Sequence, residues 1–364
     1  MFLTSGYVYD TAEAAEAAFA GESDRFIYSR YGNPTIATFE ERLRLMEAAE
    51  ACWATATGMA AVFNALIAIL KTGDRVVASR GLFGSCSVIL DELLPRFGIR
   101  TDFVDGTNLD EWAHALGTPA QAVFFETPSN PMLEIVDIAA VSALAHAAGA
   151  RVIVDNVFAT PILQKPFELG ADIVVYSTTK HFDGQGRTLG GAILGSATFI
   201  YEELQPLMRH TGPSMSPFTA WLVTKSLETL RLRVEHQTMA ATWLAQQLGG
   251  HSSIERVFYP MLPSHPQHKL AERQMRGGGT VITFNIAGGT KEAFAVMNRL
   301  KLIDISNNLG DTKTLITHPA TTTHRRLGPD GRHAASIGDN TLRVSVGLED
   351  ADDIAEDLIA ALTE

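Results

Sequence analysis

The chain has 364 residues, 46% of them hydrophobic and 19% charged, which fits a globular protein with room for two packed domains and excludes a disordered or fibrous chain. A net charge of −12 argues against nucleic acid or an anionic membrane as partner, since both would repel it at long range. The two cysteines, Cys52 and Cys86, form no C-x-x-C pair and are too few for a disulfide framework, so a reducing cytoplasm fits. No apolar run approaches the ~20 residues of a membrane span, and MFLTSGYVYD lacks the basic and long apolar regions of a signal peptide.

In chain order, residues 11–20 have high helix propensity and residues 21–35 (GESDRFIYSRYGNPT) read as a polar, turn-rich loop. A helix is predicted from about Ile36 to Ala49, and a buried one after Thr57-Gly58. Short apolar runs follow at Arg75–Ser79, Ala122–Glu126, Val152–Asp155, Ile173–Ser177 and Gly191–Leu194, with helical stretches such as Asp137–Ala148 between them. That alternation predicts an α/β fold with a mainly parallel sheet covered on both faces. In such sheets ligands gather at the carboxyl ends of the strands. The polar groups cluster there: Ser79-Arg80, Glu126-Thr127, Asp155-Asn156 and Ser177 to Lys180. After a break at Pro213–Pro217, a long helix is predicted from Thr219 to about Gln247. Strands near Arg256–Tyr259, Thr280–Ile286 and Leu342–Val346 then suggest a smaller α+β C-terminal domain.

The strand-end residues carry chemistry in combination. Asp155 ends one apolar strand, and Lys180, flanked by Ser177 and Thr179, follows the next. A carboxylate there needs a cation or donor to offset its desolvation, and a lysine there suits Schiff-base chemistry. Gly58 and Met59 open a helix whose free N–H groups suit a phosphate. Phe83 lies in a glycine-flanked loop and suits a stacking platform. Arg343, inside a strand, suits a substrate carboxylate. Each has an ordinary alternative. The aspartate could be structural, the lysine a surface charge and Phe83 a core residue, and Arg343 could pair with Glu349 or Asp350. Together they point to a phosphate-bearing cofactor. His265 with His268, and His318 with His324, are read as structural, because no cysteine or carboxylate completes a metal set. Cys86 has no identifiable base and is read as a small pocket-wall residue.

With their neighbours these residues closely resemble the Cys/Met-metabolism family of pyridoxal 5′-phosphate (PLP) enzymes, the cystathionine γ-synthase type, from Leu3 to the C-terminus. The matching stretches are YSRYGNPT (28–35), ATGMAA (56–61), ETPSNP (126–131), VDNVFATP (154–161), YSTTKHFDGQGR (176–187), GPSMSPFTAWL (212–222), SLETLRLRVEHQ (226–237) and TLRVSVGLED (341–350). The resemblance implies PLP-dependent transferase fold type I. It also implies a shortened N-terminal arm (1–26), a large PLP-binding domain (27–226) with a seven-stranded-type sheet, and a C-terminal domain (227–364).

By the same resemblance Lys180 is the catalytic lysine that carries PLP as a Schiff base, and Asp155 pairs with the pyridine N–H. Ser177, Thr179, Gly58 and Met59 bind the phosphate, Phe83 stacks on the ring, and Asn130 lies near the phenolic oxygen. Arg343 and Asn308 meet the substrate carboxylate. Tyr28 and Arg30 reach the phosphate of a neighbouring subunit, which implies a homotetramer built from dimers with shared sites. Segments at 83–86, 183–187, 263–268 and 307–324 resemble the O-succinylhomoserine sulfhydrylase branch. The implied reaction is γ-replacement of an acylated homoserine by sulfide. Cystathionine γ-synthase or a methionine or cystathionine γ-lyase is the alternative within the family. A non-catalytic α/β protein binding a phosphate ligand is the alternative outside it. Relatives often have tyrosine at the position of Phe83, and serine-leucine-glycine where this chain has Asn308-Leu309-Gly310.

Overall fold

Alternation along the central strands sets the layering. Val77, Val123, Phe125, Val152, Val154 and Val174 pack into one apolar cluster, while Val76, Ala122, Phe124, Ile153, Ile173 and Val175 pack into another. A strand places successive side chains on opposite faces, so strands apolar at every position must be buried on both. The computed structural model describes residues 1–363. Strands β1 (Ala51–Thr55), β2 (Arg75–Ser79), β3 (Arg100–Val104), β4 (Ala122–Glu126), β5 (Arg151–Asp155), β6 (Ile173–Ser177) and β7 (Gly191–Gly195) form a seven-stranded sheet in the order β1-β7-β6-β5-β4-β2-β3. Only β7 runs against its neighbours. Of the flanking helices, α1 (Ala12–Phe19) precedes the polar loop. α2 (Pro34–Glu47), capped by Asn33, covers one face of the sheet, and α3 (Gly58–Ile67) with α4 (Gly84–Val88) covers the other.

Two of these strands are absent from the sequence reading for physical reasons. β1 (ACWAT) is alanine-rich with no β-branched run, and β3 (RTDFV) is an edge strand with polar, solvent-facing positions. The helix predicted from Thr219 to about Gln247 is two helices, Pro217–Leu227 and Leu230–Gly249. At the junction the Ser226 carbonyl accepts from Arg233 Nη2 at 3.1 Å and from Thr229 N at 3.2 Å, which ends the first helix.

A second sheet has the order β10-β11-β12-β9-β8, built from β8 (Ile254–Phe258), β9 (Val281–Ile286), β10 (Asp304–Ile305), β11 (Leu315–Thr317) and β12 (Thr341–Ser345). Ile282, Phe284, Leu342 and Val344 pack against the helices Leu230–Gly249 and Ala351–Thr363. The intervening residues therefore face the large sheet's side. Thr283 donates from there to the Pro131 carbonyl, and Arg343 donates from Nη1 to Asn130 Oδ1 at 2.9 Å. No helix among the described residues is long and apolar enough to cross a membrane.

A buried polar chain ties the strand ends together. Tyr176 Oη donates to Glu47 Oε2 at 2.8 Å and accepts from Asn156 Nδ2 at 2.6 Å. Gln164 Nε2 donates to Asn156 Oδ1 at 2.8 Å and to the Thr127 carbonyl at 2.9 Å. The ends of β4, β5 and β6 are thus held in one network. Burial pushes Glu47 up to about 8, so the network is built around a neutral acid. The folded state then binds a proton that the unfolded chain has released. Glu47's contribution to stability is complete below about pH 4.5 and is lost as pH rises to about 8. Glu47→Gln should flatten the fall in urea or thermal stability across that window by about 3–5 kcal/mol. Parallel pH–stability curves for the two proteins would refute this.

Candidate active site

The carboxyl ends of β4, β5 and β6 and the start of α3 form one side of a cavity of about 400 Å³, and β12 with the segment 307–309 closes the other. Its walls include Gly58, Met59, Phe83, Asn130, Asp155, Ser177, Thr179, Lys180 and Arg343. Nine residues singled out in the sequence are thus gathered into one space. Asn308 joins them through its side chain, which accepts from Lys180 Nζ at 2.6 Å. Tyr28 and Arg30 lie elsewhere, beside a separate shallow depression with Leu3 and Ser214. Tyr28 is 42% exposed, and Arg30 stacks 4.8 Å from the Tyr31 ring centroid and donates to the Arg209 carbonyl.

The start of α3 is pressed onto the end of β6. A Cβ on Gly58 would lie 2.6 Å from Ser177 Cβ, so no larger residue fits without moving the helix. Thr57 caps the helix by accepting from Ala60 N at 3.0 Å. The first-turn N–H groups of Gly58 and Met59 have no intrahelical partner. Ser177 Oγ makes no hydrogen bond among the described residues, while Thr179 Oγ1 accepts from Gly190 N at 3.1 Å. Unengaged donors at a helix start beside a hydroxyl suit an anion.

Asp155, Lys180 and Arg343 face this space, and none of them is in an ion pair among the described residues. Asp155 accepts from Val157 N through Oδ1 at 3.1 Å, and its Oδ2 takes no protein donor; burial pushes it up to about 7. Lys180 is brought down to about 8, first by burial and then by the charge of Arg343. Arg343 is 1% exposed and is brought down to about 10 by burial. Its Nη2 donates to the carbonyls of Asn307 and Asn308 at 3.0 and 3.2 Å, and its Nε has no partner. It does not pair with Glu349, whose carboxylate accepts from Thr314 N and Oγ1. These features fit a ligand carrying a cationic N–H, a carbonyl and a carboxylate.

Glu126 is the site residue that sequence reasoning left without a role. It pairs in register with Asp155, is buried, and accepts from the Phe83 backbone N–H at 2.8 Å. Burial and the neighbouring Asp155 push its carboxyl well above the usual range. The strand-end pattern marked it, but only the pairing of β4 with β5 sets it beside Asp155. Cys86 lies in the wall, its thiol raised by burial, as befits a neutral lining group. The four histidines considered as metal ligands bond elsewhere. Nε2 of His265, His318 and His324 faces the carbonyls of Leu133, Asp339 and Asn130, and His268 Nδ1 faces that of Pro260.

Residues 1–363 match the family described as Cys/Met metabolism PLP-dependent enzyme. The chain is 61% identical to an O-succinylhomoserine sulfhydrylase of Mycobacterium tuberculosis, covering 100% of this chain and 90% of the relative. It is 47% identical to an O-succinylhomoserine sulfhydrylase of Pseudomonas aeruginosa with the same coverage. A solved Campylobacter jejuni structure that carries N′-pyridoxyl-lysine-5′-monophosphate superposes with a TM-score of 0.94 at 31% identity, covering 100% of this chain and 93% of that one.

The contact between Gly58 and Ser177 can be tested directly. Gly58→Ala should force α3 off β6 and cost about 1–3 kcal/mol in urea unfolding, with a fall of about tenfold or more in affinity for an anion held at the helix start. Gly249→Ala, where an added Cβ meets nothing within 4 Å, is the control and should be nearly neutral. Equal effects of the two changes would refute the role of the close approach.

Proposed function

Since the chain belongs to the Cys/Met metabolism family of PLP-dependent enzymes, we propose that it catalyses γ-replacement on O-succinylhomoserine with sulfide, giving homocysteine and succinate. The observation that carries the substrate assignment is the end-to-end likeness to two O-succinylhomoserine sulfhydrylases. Membership of an enzyme family removes the non-catalytic alternative.

The roles follow the cavity. Lys180 holds PLP through Nζ; it has no carboxylate partner and sits in the same cavity as Asp155. When bound, PLP supplies an electron sink that acidifies the substrate's Cα–H. Asp155, whose Oδ2 has no donor among the described residues, would meet the pyridine N–H, and its negative charge would favour the protonated ring. The N–H groups of Gly58 and Met59 and the hydroxyls of Ser177 and Thr179 hold the phosphate. Phe83 offers a stacking face, fixed by the bond from its N–H to Glu126, and brings no hydroxyl. Lys180 Nζ therefore moves both the Cα and the Cβ proton. Asn130 Oδ1 is engaged by Arg343, which leaves Nδ2 for the cofactor's phenolic oxygen. Arg343, with its unpartnered Nε, takes the substrate α-carboxylate. Asn308 assists by orienting Lys180 and by holding Arg343 through its carbonyl.

Tyr28, exposed, and Arg30, half-buried, lie outside their own chain's cavity, which is consistent with a role at a neighbour's phosphate. The proposed assembly is a homotetramer built from dimers with shared sites. The proposed domains remain an arm (1–26), a cofactor domain (27–226) and a C-terminal domain (227–364), and the proposed location is the cytoplasm.

The deciding assay supplies purified enzyme with O-succinyl- or O-acetyl-homoserine and with sulfide or cysteine. Homocysteine and succinate from the succinyl ester and sulfide should dominate. Preferential cystathionine formation from cysteine would make the chain a synthase instead. Lys180→Ala should lose turnover and the visible absorbance of bound cofactor, and retention of both would sink the lysine assignment. Because the neutral amine is the reactive form, capture of added PLP by the cofactor-free chain should accelerate as pH rises through about 8 and then level off. Acceleration delayed to the usual lysine range would contradict the lowered Lys180.

A further inference from the structure

A second, larger cavity of about 830 Å³ adjoins the first, and the two share Phe83 and Asn307 as walls. The outer cavity lies between α4 on one side and the segment from Thr317 to Arg326 on the other. Its polar lining is serine, threonine and asparagine, with apolar surface from Phe294 and Ile305. Arg326 is the one side chain there with a fixed charge. His318, the other ionisable lining residue, is bonded to the Asp339 carbonyl and Thr321, and burial lowers it, so it is neutral near pH 7.

We propose that this outer cavity is the acyl subsite and that Arg326 selects a succinyl over an acetyl ester by pairing with the distal carboxylate. The inference rests on the reading of the substrate as an acylated homoserine. O-Succinylhomoserine carries a carboxylate at each end of a flexible chain. One end has a buried guanidinium waiting in the inner cavity at Arg343. In the adjoining cavity, across the shared walls Phe83 and Asn307, Arg326 is the one cation in the lining, and Phe294 and Ile305 offer apolar surface for the methylenes. An acetyl ester ends in a methyl group and offers Arg326 nothing.

Glu92 completes the arrangement. Arg326 Nη2 donates to both its oxygens, at 2.6 and 2.8 Å, across 234 residues of sequence. The pair holds the guanidinium at the rim. Arg326 is 68% and Glu92 43% exposed, so exchanging Glu92 for a ligand carboxylate returns Glu92 to water at small cost. Glu92 is thus a built-in competitor for the succinyl end.

The test assays the holoenzyme with sulfide and each ester and reads the ratio of kcat/KM for O-succinyl- to that for O-acetyl-homoserine. Arg326→Gln should lower the ratio about tenfold, mainly through KM for the succinyl ester. Arg326→Lys should restore part of it, and Glu92→Gln should raise it above wild type. An unchanged ratio in Arg326→Gln, or equal losses on both esters, overturns the subsite while leaving the sulfhydrylase reading intact. A wild type that turns over neither ester overturns that reading, and this inference with it.

Discussion

Asp155 and Arg343 are buried in the walls of one cavity, opposite in charge, and neither is in an ion pair among the described residues. Charges withdrawn from water normally find each other, because the desolvation of each is otherwise uncompensated. Here the sheets hold them apart. Asp155 ends β5 of the large sheet, and Arg343 sits mid-strand in β12 of the second. The chain resolves the tension partly by proton chemistry, raising Asp155 and lowering Lys180, and partly with neutral donors and acceptors such as Asn130. What remains is a cavity in which Asp155 Oδ2 and Arg343 Nε have no partner among the described residues and can be met by a ligand. A pyridinium at one end and a carboxylate at the other are such partners, which is why a PLP-dependent family and this geometry agree.

The cavity exists because backbone is allowed to come very close to side chains at two places. Gly58 lets the start of α3 rest on Ser177. Gly310, at a φ of +71°, lets the 306–310 segment rest on His181, where a Cβ would lie 2.7 Å from its backbone nitrogen. The first contact aims helix N–H groups at the strand ends, and the second brings Asn308 to Lys180. The network from Glu47 to Gln164 then fixes the ends of β4, β5 and β6 relative to one another, so Glu126, Asp155 and Ser177 lie on rigid strand ends and the turn with Thr179 and Lys180 starts from one of them.

Local pattern made the two-sided burial of β2, β4, β5 and β6 legible, and with it the sheet whose carboxyl ends gather Asp155, Ser177, Thr179 and Lys180. Arg343 was legible as a strand residue, and the structure sets it on the face of β12 away from Leu342 and Val344. Short-range chemistry made Gly58 legible as a helix start. β1, β3 and the break at Glu228-Thr229 were not legible, because the first two owe their strand state to their neighbours and the break depends on Arg233 reaching back to Ser226.

Residue type and spacing therefore point to a phosphate-bearing cofactor, since a strand-end acid, a lysine, a glycine helix start and an aromatic ring each stand in a local context that can be read. Distances between segments far apart in the chain are not readable in that way. The pairing of Glu126 with Asp155, the grip of Asn308 on Lys180 and the meeting of Glu92 with Arg326 arise only when the strands are ordered and the second sheet closes over the first. Burial decides the rest. Lys180, unremarkable as one lysine among many, is lowered to about 8 because the fold removes water from it and sets the charge of Arg343 nearby.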